Sequence, residues 1–186
     1  MTSNTEKQEK LRLVHGAIKK KFKGKKIVFG QGPLNATVAL VCDAPDKDEH
    51  ADGALGNGKY AKPIADLLKS AGIDLRQVYH TAAIKYHAPN HKFLTPKEVK
   101  SCSNFLKEEL KIIEPKLVIT LGANALRGVG LRLPIDNARG RLLNLGAYHL
   151  LATYHPSQAE TDPFAKKLAE TDILKAKELP SGVSEV

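Results

Sequence analysis

Tryptophan is absent from the 186 residues, and aromatic side chains make up only 5% of them. A broad platform on which successive bases stack is therefore disfavoured. Cysteine occurs twice, as Cys42 and Cys102, with no local partner. That count excludes a disulfide scaffold, a four-cysteine zinc site and a complete four-cysteine iron–sulfur site. No apolar run approaches the ~20 residues of a bilayer-spanning helix. The opening MTSNTEKQEKLRL has no apolar signal core, so the expected location is cytoplasmic or nucleoid-associated. The P-loop, GxGxxG, GxSxG and HExxH motifs are all missing. Gly30-Gln31-Gly32 precedes the first predicted strand, so it is no dinucleotide fingerprint. His87 and His91 stand four apart, but Pro89 lies between them and no third ligand is near. No metal is expected.

What is present is positive charge. Lys plus Arg is 29 against 20 for Asp plus Glu, a formal net charge of +9. Such a balance suits a polyanionic partner, or a solvated basic face. Much of the excess lies between Lys19 and Lys26, which could equally be an exposed helix end. The length suits one domain, expected as a monomer.

Hydrophobic periodicity predicts a helix over 5–22, with Thr5 as a possible cap. The run TVALVC (37–42) reads as a buried parallel strand. A polar loop follows to Lys59, then a helix over 60–71 stopping before Gly72. Residues 77–84 read as a second strand, and Thr95-Pro96-Lys97-Glu98 as a capped helix start. That helix runs to about Glu114. Then come a strand over 116–121, a short helix over 122–129, a hairpin-like pair or a bent strand ending at Tyr154 in 140–154, and a final helix over 158–177. The alternation predicts an α/β fold with helices on both faces of a mostly parallel sheet. The expected organisation is an amino-terminal helix and basic segment (1–26), one α/β domain (27–178) and a tail (179–186).

In such sheets ligands gather at the carboxyl ends of the strands. Asp43 falls directly after the first strand, where an acid could orient water or stabilise a cation. His155 falls after the last strand, where a neutral imidazole could donate to a developing oxyanion. Ser157 could hold a phosphate at the start of the final helix. Each of these residues also has a plain structural reading as a turn or helix cap.

Five collinear segments, from Ile27 to Phe164, resemble the uracil-DNA glycosylase superfamily, closest to its iron–sulfur branch, family 4. They are VFGQGPLNATVALVCDAPD, NGKYAKPIADLL, VYHTAAIKYHAPNHKFLTPKE, CSNFLKEELKIIEPKLVITLGANA and the tripeptide HPS. The resemblance implies a three-layer α/β/α sandwich with a mostly parallel central sheet, acting on a base flipped out of DNA. Carried over residue by residue, Asp43 falls on the catalytic acid and His155 on the imidazole that supports the departing base. Tyr60 falls on the aromatic that stacks on that base, and Ala44 of the acidic motif is a further base-binding candidate. Ser157 falls where the chain approaches the phosphates. Lys85, His91, Lys92, Arg127, Arg139 and Arg141 are basic candidates for DNA contact.

The departures from the pattern also carry expectations. Of the four cluster cysteines only Cys102 remains, the third falling at Tyr86, so no cofactor is expected. The Asn that reads the uracil edge falls at Ala82, and loss of such a partner can erase discrimination between bases. Asp46 stands where the family has Gly. Alternatives are a non-catalytic DNA-binding member of the fold, a variant bonding covalently to abasic sites through His91, and a hydrolase of small nucleotides.

Overall fold

The computed structural model describes residues 3–87 and 94–179. Within them the chain builds a five-stranded sheet of order β2-β1-β3-β5-β4. β1 (Val38–Cys42) lies between β2 (Tyr79–Ala82) and β3 (Leu117–Leu121), both parallel to it. β5 (His149–Thr153) continues the parallel set, and β4 (Leu142–Asn144) closes it as the antiparallel arm of a hairpin. Every residue of β1, β2 and β3 is buried. Burial on both faces is why β1 and β3 read as nearly continuous apolar runs, whereas β2 buries the polar His80 and Thr81.

Alternation of side chains along β1 divides the core in two. Val38, Leu40 and Cys42 face α3 (Ala61–Ser70) and α7 (Pro163–Ile173), meeting Ile64, Leu67, Leu68, Ala169 and Ile173. Ala39 and Val41 face α1 (Asn4–Lys21), α4 (Pro96–Ile113) and α5 (Ala123–Gly128), meeting Leu11, Leu106, Leu110 and Leu126. The result is the expected three-layer sandwich. α1 is part of it, with Leu11 and Ile18 buried.

Local chemistry sets the element ends. α4 begins with the capping box read from the sequence: Glu98 N–H donates to Thr95 Oγ1 at 3.2 Å, and Thr95 N–H to Glu98 Oε2 at 2.9 Å. α1 is capped by Ser3 rather than Thr5. The loop after β1 holds a two-turn helix, α2 (Lys47–Asp52), capped by Asp46. A further short helix, α6 (Ile135–Ala138), follows α5. The expected final helix is broken. A 3-10 turn, Pro156–Glu160, comes first, and α7 starts afresh at Pro163 with Asp162 as its cap. Proline lacks the N–H to continue a helix but suits a first turn. Of the tail, Leu179 is buried in the core, and the rest lies outside the described residues.

Candidate active site

The loops leaving β1 and β5 enclose a cavity of about 430 Å³, lined in part by Asp43, Ala44, Tyr60, His155 and Ser157. The acid and the imidazole, 112 positions apart in the chain, thus share one cleft because their strands flank β3 with carboxyl ends on the same edge. The wall also carries Cys42, Asp46, Glu49 and Leu94.

Asp43 is fixed from the opposite loop. Its Oδ1 accepts the Ala125 N–H at 2.7 Å, and its Oδ2 accepts Asn124 Nδ2 at 3.1 Å. Gly122, which caps α5 at φ 99°, lets the carboxylate approach, since a Cβ there would lie 2.7 Å from Asp43 Oδ1. Burial outweighs these bonds and raises the carboxyl from 3.8 to about 6. A group poised there ionises near neutrality and suits general-base work.

His155 leads into the 3-10 turn. Its Nδ1 accepts the Ser157 N–H at 3.2 Å and lies 2.8 Å from Ser157 Oγ. Burial lowers the imidazole to about 4, so the ring is neutral at physiological pH. With Nδ1 accepting, the proton sits on Nε2. Tyr60 meets this ring edge to face, with centroids 5.1 Å apart and planes at 81°. Lys59, just before Tyr60, pairs with Glu160 of the 3-10 turn.

Asp46 does not point a free charge at the cavity. Its carboxylate accepts the N–H groups of Asp48, Glu49 and Lys59, each at 2.9 Å. Glu49 answers by accepting the N–H of Asp46 at 3.0 Å and of Gly56 at 2.7 Å. The two acids bind the motif loop to the segment carrying Tyr60. Glu49, its carboxyl raised by burial, escaped the sequence reading, although its spacing from Asp46 is that of a capping box. Asn124 escaped it for want of any sequence signal, since its partner is distant in the chain.

Several candidates lie elsewhere. Lys85 is not a phosphate contact: it is 0% exposed, and its Nζ bonds Glu109 Oε2 at 2.5 Å and Thr81 Oγ1 at 2.6 Å. Arg139 is committed to Asp172, donating at 2.8 and 3.0 Å from two nitrogens. Ala82 is 1% exposed and does not line the cavity, where its register neighbour Cys42 forms the wall. On the same face of β2, His80 Nε2 lies 3.3 Å from Cys42 Sγ. Ser157 sits in the 3-10 turn, so it does not start the final helix. Arg127 and Arg141 are exposed. His91 and Lys92 lie outside the described residues.

Comparison with known proteins identifies the family. The uracil DNA glycosylase superfamily profile matches residues 29–176. The chain belongs to that superfamily. It is similar to the Type-4 uracil-DNA glycosylase of Thermotoga maritima, 30% identical over 156 residues, 81% of either chain. The Type-4 enzyme of Sulfurisphaera tokodaii is 28% identical over 163 residues, 82% of this chain and 74% of its own. The Type-5 uracil-DNA glycosylase of Pyrobaculum aerophilum is 37% identical over 89 residues, 46% of this chain and 39% of its own.

The residues do not fit the iron–sulfur cluster that the family 4 resemblance brings with it. Tyr86 and Cys102, at two of the cluster positions, belong to an apolar plug with Ile84 and Val99, against which Phe22, Ile27, Ala44 and Leu94 pack. The other thiol, Cys42, belongs to a different part of the core. Among the described residues, no group of three or more His, Cys, Asp or Glu could hold a metal.

Proposed function

We propose that this protein is a DNA N-glycosylase that removes uracil or a related deaminated base from DNA. The observation that carries the reading is the single cleft shared by Asp43, His155 and Tyr60. Its volume of about 430 Å³ is in the range of small-ligand sites. The names of the relatives, uracil-DNA glycosylases over most of their length, support the same substrate class.

The chemistry follows from the groups. A nucleotide must leave the stack before its glycosidic bond can be reached. Tyr60 offers a ring for the everted base to stack on. The bond from C1′ to the base breaks with its electron pair leaving on the base. The Nε2–H of His155 donates to the oxygen on which that charge gathers. The Asp43 carboxylate faces the positive sugar, directs water to C1′ and accepts its proton. The products are the free base and an abasic site. Arg127 and Arg141 are candidates for phosphate contact.

One observation favours a second reading, a DNA-binding member of the fold without catalysis. The cavity wall carries no Asn or Gln side chain among the described residues, and Ala82 cannot replace one. Duplexes holding uracil, hypoxanthine or xanthine decide between the two in an abasic-site assay. Excision is expected from the wild type, reduced by about 10²-fold or more in Asp43→Asn and His155→Ala. Duplex binding with no base released by any of the three would establish the second reading instead.

A further inference from the structure

Six lysines and no acid lie between Lys19 and Lys26. All six are exposed, and among the described residues none is ion-paired with a carboxylate. Their place in the fold is set by apolar packing. Phe22 and Ile27, at the two ends of the segment that follows α1, pack on the plug around Tyr86 and Cys102. Ala44 and Leu94 pack on the same plug and also line the active-site cavity. The segment from Phe22 to Ile27 therefore backs onto the cavity wall.

Polar contacts fix it to the same edge. Lys26 Nζ donates to Ala51 O at 2.5 Å, in the helix that follows the acidic motif. Lys25 Nζ lies 3.6 Å from the centroid of the Tyr86 ring, just beyond β2. α1 runs antiparallel to α4. Lys7 Nζ reaches Ile113 O at the far end of α4 at 2.8 Å, and Lys21 Nζ reaches Ser101 O near its start at 2.7 Å. The lysine-rich end of α1 thus lies at the carboxyl edge of the sheet, beside the loop that carries Asp43.

We propose that this segment, Lys23 and Lys25 foremost, is a phosphate-binding rim that grips the DNA backbone flanking the flipped nucleotide. The proposal rests on the base-excision reading and adds the surface that would hold the duplex. Glu98 lies within electrostatic range of Lys25 but makes no ion pair with it, and positive charge not held in an ion pair is free to replace the counterions condensed on DNA. The aromatic plug gives that charge a fixed position, with Lys25 held over one of its rings.

The test is binding of the full chain to a uracil-containing duplex across a salt series, with base release measured on the same samples. Lys23→Gln/Lys25→Gln should flatten the slope of log K against log salt by about 0.9 for each phosphate contact removed. Lys23→Arg/Lys25→Arg should keep the wild-type slope, because the charge remains. Lys10→Gln/Lys111→Gln makes the same change in net charge at the opposite end of α1 and α4, and should leave the slope unchanged. A wild-type slope in the Lys23/Lys25 Gln pair, or equal flattening by both Gln pairs, overturns the rim. Intact excision with a rim-independent slope sinks the rim alone. Rim-dependent binding with no base released sinks the excision reading alone.

Discussion

The Ser157 N–H donates to Nδ1 of His155 at 3.2 Å, and that bond decides which way the imidazole faces the reaction. A neutral ring that accepts at Nδ1 must donate from Nε2. Burial keeps it neutral, lowering its pKa to about 4. Asp43, raised to about 6, titrates well above it. The acid limb of the pH profile should therefore belong to the carboxyl. Excision is expected to fall below about pH 6 as Asp43 takes up its proton. His155→Ala should reduce kcat by about 10²–10³-fold yet keep the acid limb in its residual rate. Loss of the limb in that variant would assign it to the histidine.

Asp43 also sets stability against activity. The folded carboxyl holds its proton up to about pH 6, whereas an ordinary one loses it near 3.8. Between those values the folded state binds more protons than the unfolded chain. Stability therefore falls as pH rises through that window and stays lower above it. Asp43→Asn removes the penalty: its Oδ1 can still accept the Ala125 N–H, and a turned-over Asn124 amide can accept from its Nδ2. The variant should be more stable than wild type near pH 7.5 by up to roughly 2–3 kcal/mol, less for residual solvation, while excision is lost. The advantage should vanish near pH 4. Urea denaturation at both pH values checks this, and a variant less stable at the higher pH would contradict it.

Asp46 turns an apparent defect of the motif into a joint. Its carboxylate caps α2 and also holds the Lys59 N–H, one residue before Tyr60. The close fit extends to Gly58, where a Cβ would lie 2.0 Å from Asp46 Oδ2. Asp46→Gly, the residue of the family pattern, should lower stability by about 0.5–2 kcal/mol through loss of the cap. KM should rise more than kcat falls, because the loosened element carries Tyr60, the proposed stacking partner of the base. Asp46→Asn keeps one accepting oxygen and should fall between the two. Steady-state kinetics on a uracil duplex separates the effects.

The parts of this architecture that sequence reveals are those set by local chemistry. β1 and β3 read as strands because burial on both faces demands nearly continuous apolar runs. Thr95 and Glu98 announce α4 because a capping box is a matter of spacing. The same spacing joins Asp46 to Glu49, but the short polar helix it starts buries nothing, so no periodicity accompanies it. Asn124 and the Ala125 N–H meet Asp43 only through the sheet order, which no local pattern encodes. Lys85 misleads for another reason: a lysine leaving a strand reads as surface unless its buried partner, 24 positions away, is known.

That buried partner yields the sharpest test of the core. Lys85 and Glu109 are both 0% exposed, bonded at 2.5 Å, with Thr81 Oγ1 donating to the same Glu109 Oε2 at 2.8 Å. Two charges removed from water are sustained only by each other and by such bonds. Glu109→Leu leaves the ammonium without its counter-charge and should cost about 3–5 kcal/mol. Lys85→Met leaves the carboxylate with Thr81 and, at 3.9 Å, His15, and should be comparably destabilising. The double variant replaces the pair by apolar volume and should recover most of the loss, giving a strongly non-additive cycle in urea denaturation. If Lys85 gripped phosphate instead, Lys85→Met would leave stability unchanged and flatten the salt dependence of DNA binding.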